Sequence, residues 1–223
     1  VSLSLPLLIW TSPAFPVGAF AYSHGLEWAQ EAGDVCDAES LEAWLRDLYA
    51  HGAPRNDAIL CAEARRAADD PARLAELAEL AVALAPSAER RLETITQGNA
   101  FLSVCAASWP CAALDAYRTG AGEADTPLPV AFGLVAGGHA IPLRETLEAL
   151  GLGFAQNLVS AAVRLGILGQ TRAQAVVASL LPAIRARAEA AEGEGLDDLG
   201  AAAFRADLGA LLHETQYTRL FRS

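Results

Sequence analysis

The run Pro142-Leu-Arg-Glu-Thr-Leu-Glu-Ala-Leu-Gly-Leu-Gly-Phe-Ala-Gln-Asn-Leu-Val-Ser-Ala-Ala-Val-Arg-Leu165 sets its large apolar residues at helical spacing. Leu143, Leu147, Leu150, Phe154, Leu158 and Leu165 share one face, and Arg144, Glu145 and Glu148 fall off it. That pattern predicts an amphipathic helix with one side in a core. Proline suits its start, and Gly166 and Gly169 suit its end. The same period extends in both directions, and no run of alternating β-branched residues breaks it.

Upstream, the spacing predicts a helix from about Gly18 to Ala32, stopped by Gly33. Asp37 can cap the next, which runs to about His51 with Leu41, Trp44, Leu45 and Leu48 as its stripe. Asp70-Pro71 and Ser87 give two further starts. Residues 120–129 form the longest loop signal, and Gly133, Gly137 and Gly138 are spaced for close helix contact. Downstream, Thr171 caps a helix to about Ala190 with a kink expected at Pro182, and Asp197 opens the last. The fold class is therefore all-α: a single-domain bundle of about ten helices over 1–223. Residues 1–17 are expected to form an extended N-terminal arm, because Pro13 and Pro16 fix φ and bias their predecessors away from helix.

Composition narrows the function. Hydrophobic residues make up 53% of the 223, so a globular core is available. A net charge of −11 argues against nucleic-acid binding, which depends on neutralising phosphates. All 16 basic residues are arginine, so neither a Walker A lysine nor a Schiff-base lysine exists in the chain. Cys36, Cys61, Cys105 and Cys111 show no CxxC pairing and read as small buried apolar residues. The apolar start lacks a basic n-region and is interrupted by Pro6, and the charge-free stretches further on are broken by Pro, Asn, Gln or Gly. A cytoplasmic protein with no membrane association is the expectation.

The candidate chemistry gathers at two places. Ser12-Pro-Ala-Phe-Pro-Val-Gly-Ala-Phe-Ala-Tyr-Ser-His-Gly-Leu-Glu27 offers Ser23, His24 and Glu27 as a polar patch among aromatics. No nucleophile or oxyanion donor accompanies them, no histidine has Glu three residues before it, and neither HExxH nor GxSxG occurs. No catalytic residue, no resident metal site and no cofactor are therefore expected. A small helical metal-dependent enzyme using His24 and Glu27 is the alternative. The second place is the tail, residues 214–223, where Tyr217, Arg219, Leu220, Phe221, Arg222 and Ser223 look like a docking segment for a partner. Aromatics and arginines are the types enriched at binding hot spots. Gln156, Ser160 and Arg164 recur at four-residue spacing as a second polar strip, with Gln170 beyond them.

These stretches carry a resemblance. The segment Ser12–Glu27 is similar to the signature of the urease accessory protein family UreF. So are Arg90-Arg91-x-Glu93-x-x-x-Gln97-Gly98, Gln156-Asn-Leu-Val-Ser-Ala-Ala-Val-Arg164 with Leu168-Gly-Gln-Thr171, and the ending Thr215-Gln-Tyr-Thr-Arg-Leu-Phe-Arg-Ser223. They occur in the family's order and span nearly the whole chain. Ala21 departs from the family's usual Ser or Thr, and residues 67–84 and 127–129 diverge. The resemblance implies an all-α homodimer that binds a UreD/UreH-type accessory protein and recruits and modulates the GTPase UreG. The assembly inserts nickel into apo-urease, and the chain itself is not an enzyme. Nickel would be handled only in transit, with Ser23, His24 and Glu27 as a possible metal passage.

Overall fold

The computed structural model describes residues 4–121 and 124–223, apart from the side chain of residue 121. Among them are eleven α-helices and no strand. They are α1 (Leu5–Trp10), α2 (Leu26–Glu31), α3 (Ala38–His51), α4 (Ala53–Arg66), α5 (Pro71–Ala83), α6 (Ala88–Ser108), α7 (Ala112–Ala121), α8 (Leu128–Gly138), α9 (Leu143–Arg164), α10 (Gln170–Ala191) and α11 (Phe204–His213). The caps expected at Asp37, Asp70 and Ser87 form, but Thr171 does not cap α10, which starts at Gln170 after Gly169 with no side-chain cap. Ser40 N–H donates to Asp37 Oδ1 at 2.8 Å, Arg73 N–H to Asp70 Oδ1 at 3.0 Å and Arg90 N–H to Ser87 Oγ at 3.2 Å. Each satisfies an amide that the first turn leaves without an intrahelical partner.

α8 is the centre of one core. Every residue from Pro129 to Ala136 is buried, so this helix is apolar all round rather than amphipathic. It packs most extensively on α4, and glycines let the backbones approach: a Cβ on Gly133 would sit 2.4 Å from the Cys61 carbonyl. Trp10, Phe15, Phe101 and Phe132 complete this core from α1, the arm, α6 and α8. A second core gathers Leu41, Leu45, Leu158, Leu180 and Ile184 from α3, α9 and α10, together with Leu26 and Phe221. α9 joins the two, giving Leu147 to the first core and Leu158 to the second.

Four further expectations need correction. The arm is not extended. Pro6 sits in the first turn of α1, where its missing N–H leaves no bond unmade. Past Thr11 the chain folds through tight turns, Phe15 N–H to Ser12 O at 2.9 Å and Val17 N–H to Phe15 O at 2.8 Å. The helix expected from Gly18 to Ala32 is split into a 3-10 turn at Ala19–Ala21 and then α2, because His24 and Gly25 both take left-handed φ, 59° and 78°. The last helix begins at Phe204, and Leu196–Asp198 is only a 3-10 turn. Cys36 is exposed, and the other three cysteines are buried or partly so. The loop expected at 120–129 lies partly outside the described residues.

Candidate functional site

The break between the 3-10 turn and α2 brings the two ends of the chain together. Ser23 N–H donates to Ser223 O at 2.7 Å, Arg222 N–H donates to Ala21 O at 2.8 Å, and Ser23 Oγ–H also donates to Ser223 O. The reversal depends on His24 and Gly25 being left-handed. A non-glycine residue there is unusual and costs about 1 kcal/mol or more. A Cβ on Gly25 would lie 3.0 Å from Ala210 N, so glycine also admits α11 against the start of α2.

Glu27, in the first turn of α2, is buried and holds the tail by its backbone. Leu220 N–H donates to Oε1 at 2.6 Å and Phe221 N–H to Oε2 at 2.9 Å, and His213 Nε2 lies 3.2 Å from Oε2. The other nitrogen of His213, Nδ1, lies 2.6 Å from Glu89 Oε2, and Arg219 Nη1 donates to Glu89 Oε1 at 2.6 Å. Glu214 accepts from Ala88 N–H at 2.8 Å and Glu89 N–H at 3.3 Å, so a tail carboxylate closes the positive end of α6. Beneath these, Glu93 pairs with Arg90 and accepts from Ser223 Oγ at 2.6 Å. Burial opposes a charge on Glu93, but the Arg90 guanidinium and these hydrogen bonds outweigh it and hold the carboxyl down at about 2.

The tail thus divides. Phe221 is 4% exposed, its ring 4.3 Å beneath the Arg164 guanidinium, and Ser223 is equally enclosed. Both are bound by this chain and cannot be outward anchors in this state. Tyr217, Arg219, Leu220 and Arg222 face solvent, Leu220 at 63% exposure. Phe20 is exposed next to the Ala21 carbonyl that Arg222 binds.

Ser23, His24 and Glu27 are brought together at the tail. Both oxygens of Glu27 are occupied, and among the described residues no cluster of three His, Cys, Asp or Glu is set to hold a metal. Desolvation, then Arg90, pushes His24 down to about 4, against the pull of Glu93 3.9 Å away. It is a neutral ring packed edge-on against Phe154, 4.9 Å between centroids. The strip is divided too. Arg164 reaches the arm by donating to Phe20 O, while Gln156 and Ser160 line a cavity of about 380 Å³. Arm residues Trp10 to Phe20 bound that cavity on one side, and Asp57, Arg90 and Glu93 are among its other walls. Gln170 stands apart, exposed at the start of α10.

Four groups in the site went unassigned in the sequence: His213, Glu89, Asn157, whose Nδ2 donates to Tyr22 O at 3.3 Å, and Asp57, which desolvation raises to about 7 against the pull of Arg90. The Arg90, Glu93, Gln97 spacing was a usable signal, since i, i+3, i+7 puts three polar groups on one helix face.

A pH prediction follows from His24. Its folded value lies below the unfolded one, so the unfolded chain takes up the proton first, and the stability it contributes is complete above about 6.5 and lost as pH falls to about 4. Asp57 runs the other way, losing stability as pH rises towards 7, so the wild type alone hides the effect. His24→Asn keeps a residue that tolerates left-handed φ. From urea midpoints, its stability relative to wild type should rise by on the order of 3 kcal/mol between pH 6.5 and 4. A constant difference across that window would contradict a buried neutral His24.

This arrangement ties the tail to α2 and α6. The UreF family profile matches residues 35–181. The urease accessory protein UreF of Xanthobacter autotrophicus is 58% identical over 221 residues, covering 98% of this chain and 90% of the relative. The chain belongs to the UreF family. Two further UreF proteins, of Methylobacterium radiotolerans and Methylorubrum populi, are 54% and 51% identical over 99% of this chain, covering 96% and 99% of their own lengths. A UreF-type chain is an accessory protein and not an enzyme, which removes the metal-dependent enzyme using His24 and Glu27. Among the described residues, no helix is long and apolar enough to cross a membrane.

Proposed function

We propose that this UreF-type chain is a nickel-insertion chaperone that works in the cytoplasm as a homodimer. It binds a UreD/UreH-type accessory protein through its tail face, and together they recruit the GTPase UreG and modulate it during maturation of apo-urease. Nickel is cargo in transit, and the chain keeps no cofactor of its own. Any nucleotide chemistry belongs to the partner, since this chain has no lysine for a phosphate-binding loop.

The observation that carries docking is the ordered tail. Glu27 and Glu89 fix its backbone and Arg219, so Tyr217, Leu220 and Arg222 are presented on a held segment beside Phe20. A held segment has already lost much of the conformational entropy that a free end gives up on binding. Glu27 is saturated by tail groups, so nickel movement through this chain would run along the cavity between the arm, Asp57 and Glu93 instead.

Deletion of 215–223 tests the docking role. The truncated chain keeps α1 to α11 and should fail to co-purify with the UreD/UreH-type partner. Recovery at the wild-type level would refute docking through the tail.

A further inference from the structure

His213 lies at the last turn of α11, fully buried, where the chain leaves the helix to become the tail. Both of its ring nitrogens face carboxylates: Nδ1 to Glu89 Oε2 at 2.6 Å and Nε2 to Glu27 Oε2 at 3.2 Å. An ionised carboxylate only accepts, so each ring nitrogen must donate. A proton placed on either acid instead would weaken the bonds that acid already accepts. Glu27 already accepts two backbone N–H groups, and Glu89 already accepts from Arg219. We propose that His213, held as an imidazolium between Glu27 and Glu89, is the residue that positions the tail for partner binding. The proposal rests on the docking role given to the tail above.

Three features make this more than a buried hydrogen bond. A cation suits the C-terminal turn of α11, where the helix dipole is negative. The two acids His213 joins, on α2 and α6, are the ones that hold the far end of the tail, through Leu220, Phe221 and Arg219. Charge balance also depends on it. Glu27 and Glu89 pair with His213 and Arg219, so neutral His213 would leave one of the two carboxylates uncompensated in an enclosed site. Gly209 serves the same contact: a Cβ there would lie 3.0 Å from the Trp28 ring, so glycine lets α11 approach α2 closely enough for the ring to span both acids.

The test uses the full chain labelled with ¹⁵N-histidine, with His213 assigned by its absence in His213→Gln. At neutral pH both ring nitrogens should carry protons in the wild type. In Glu89→Gln, a near-isosteric change, one should be unprotonated. Amide exchange at Leu220 and Phe221 should accelerate about tenfold or more in both variants, the loss expected for a charged hydrogen bond, while Ile59 and Leu134 in the core stay protected. Affinity for the UreD/UreH-type partner should fall in step. A ring nitrogen without a proton in the wild type overturns the proposal, and so does unchanged protection of Leu220 and Phe221 in both variants. Lost protection with unchanged affinity would instead overturn the docking role of the tail.

Discussion

Gly98→Ala is expected to remove a large share of the stability of the protein. Gly98 lies on the buried side of α6, and a Cβ built on it would fall 1.9 Å from Thr126 O and 2.7 Å from Leu128 N. These are backbone atoms, so no rotamer change relieves the overlap. Nor can the segment move aside, because α6 pins it on both sides of the glycine. Thr126 N–H donates to Asn99 Oδ1 at 3.0 Å, Leu128 N–H donates to Thr94 Oγ1 at 3.2 Å, and Tyr117 Oη bonds Thr126 Oγ1 at 3.0 Å. Overpacking typically costs about 1–3 kcal/mol when side chains can shift, and more is expected where only backbone can give. Against a total of about 5–15 kcal/mol for a typical domain, that is a large share. Gly200→Ala, where a Cβ meets nothing within 4 Å, should change stability by no more than about 0.5 kcal/mol. Urea midpoints of the two variants give the comparison. Equal midpoints would show that 126–128 is not held this close to α6.

That contrast also marks what can be read from residues in order. The caps at Asp37, Asp70 and Ser87 and the stripe of α9 form as expected, because each depends on neighbours within one or two turns. Gly98 has no such local signature. In the sequence it is a glycine inside a helix, and its reason is a loop 28 residues further on. His24 misleads for the same cause. Its spacing from Phe20 and Glu27 fits a continuous helix, yet closure with Ser223 requires a left-handed turn there, and a contact across 200 residues outweighs local preference. The tail residues were legible as a group, but not which of them face outwards. Leu220 and Arg222 point to solvent, and Phe221 and Ser223 point inwards, an arrangement set by bonds to Glu27, Ser23 and Glu93 far back in the chain. Four residues are too few for any period to show.

The tail should come free in Glu27→Ala while the body stays folded. Glu27 accepts from Leu220 N–H, Phe221 N–H and His213, so its loss leaves two enclosed amides and one ring nitrogen without an acceptor. Breaking a buried charged pair by removing one partner costs about 3–5 kcal/mol. The tail need not stay and bear that cost. By leaving the body it returns its amides to water. The loss then falls on docking: Phe221 comes off the second core, Arg164 loses its ring, and Ser223 leaves Glu93. The two cores built on α4 with α8 and on α3, α9 and α10 keep their other contacts, so helix content and cooperative unfolding should persist. With no lysine in the chain, trypsin can cut only after arginine, and Arg219 and Arg222 lie on the held segment. Mass spectrometry should therefore show rapid cleavage after Arg219 and Arg222 in Glu27→Ala and slow cleavage in the wild type. Tyr217→Ser, which changes an outward side chain, should leave cleavage slow and still weaken partner binding, separating the face that docks from the acid that holds it. Equal cleavage rates in Glu27→Ala and wild type would mean that Glu27 does not hold the tail.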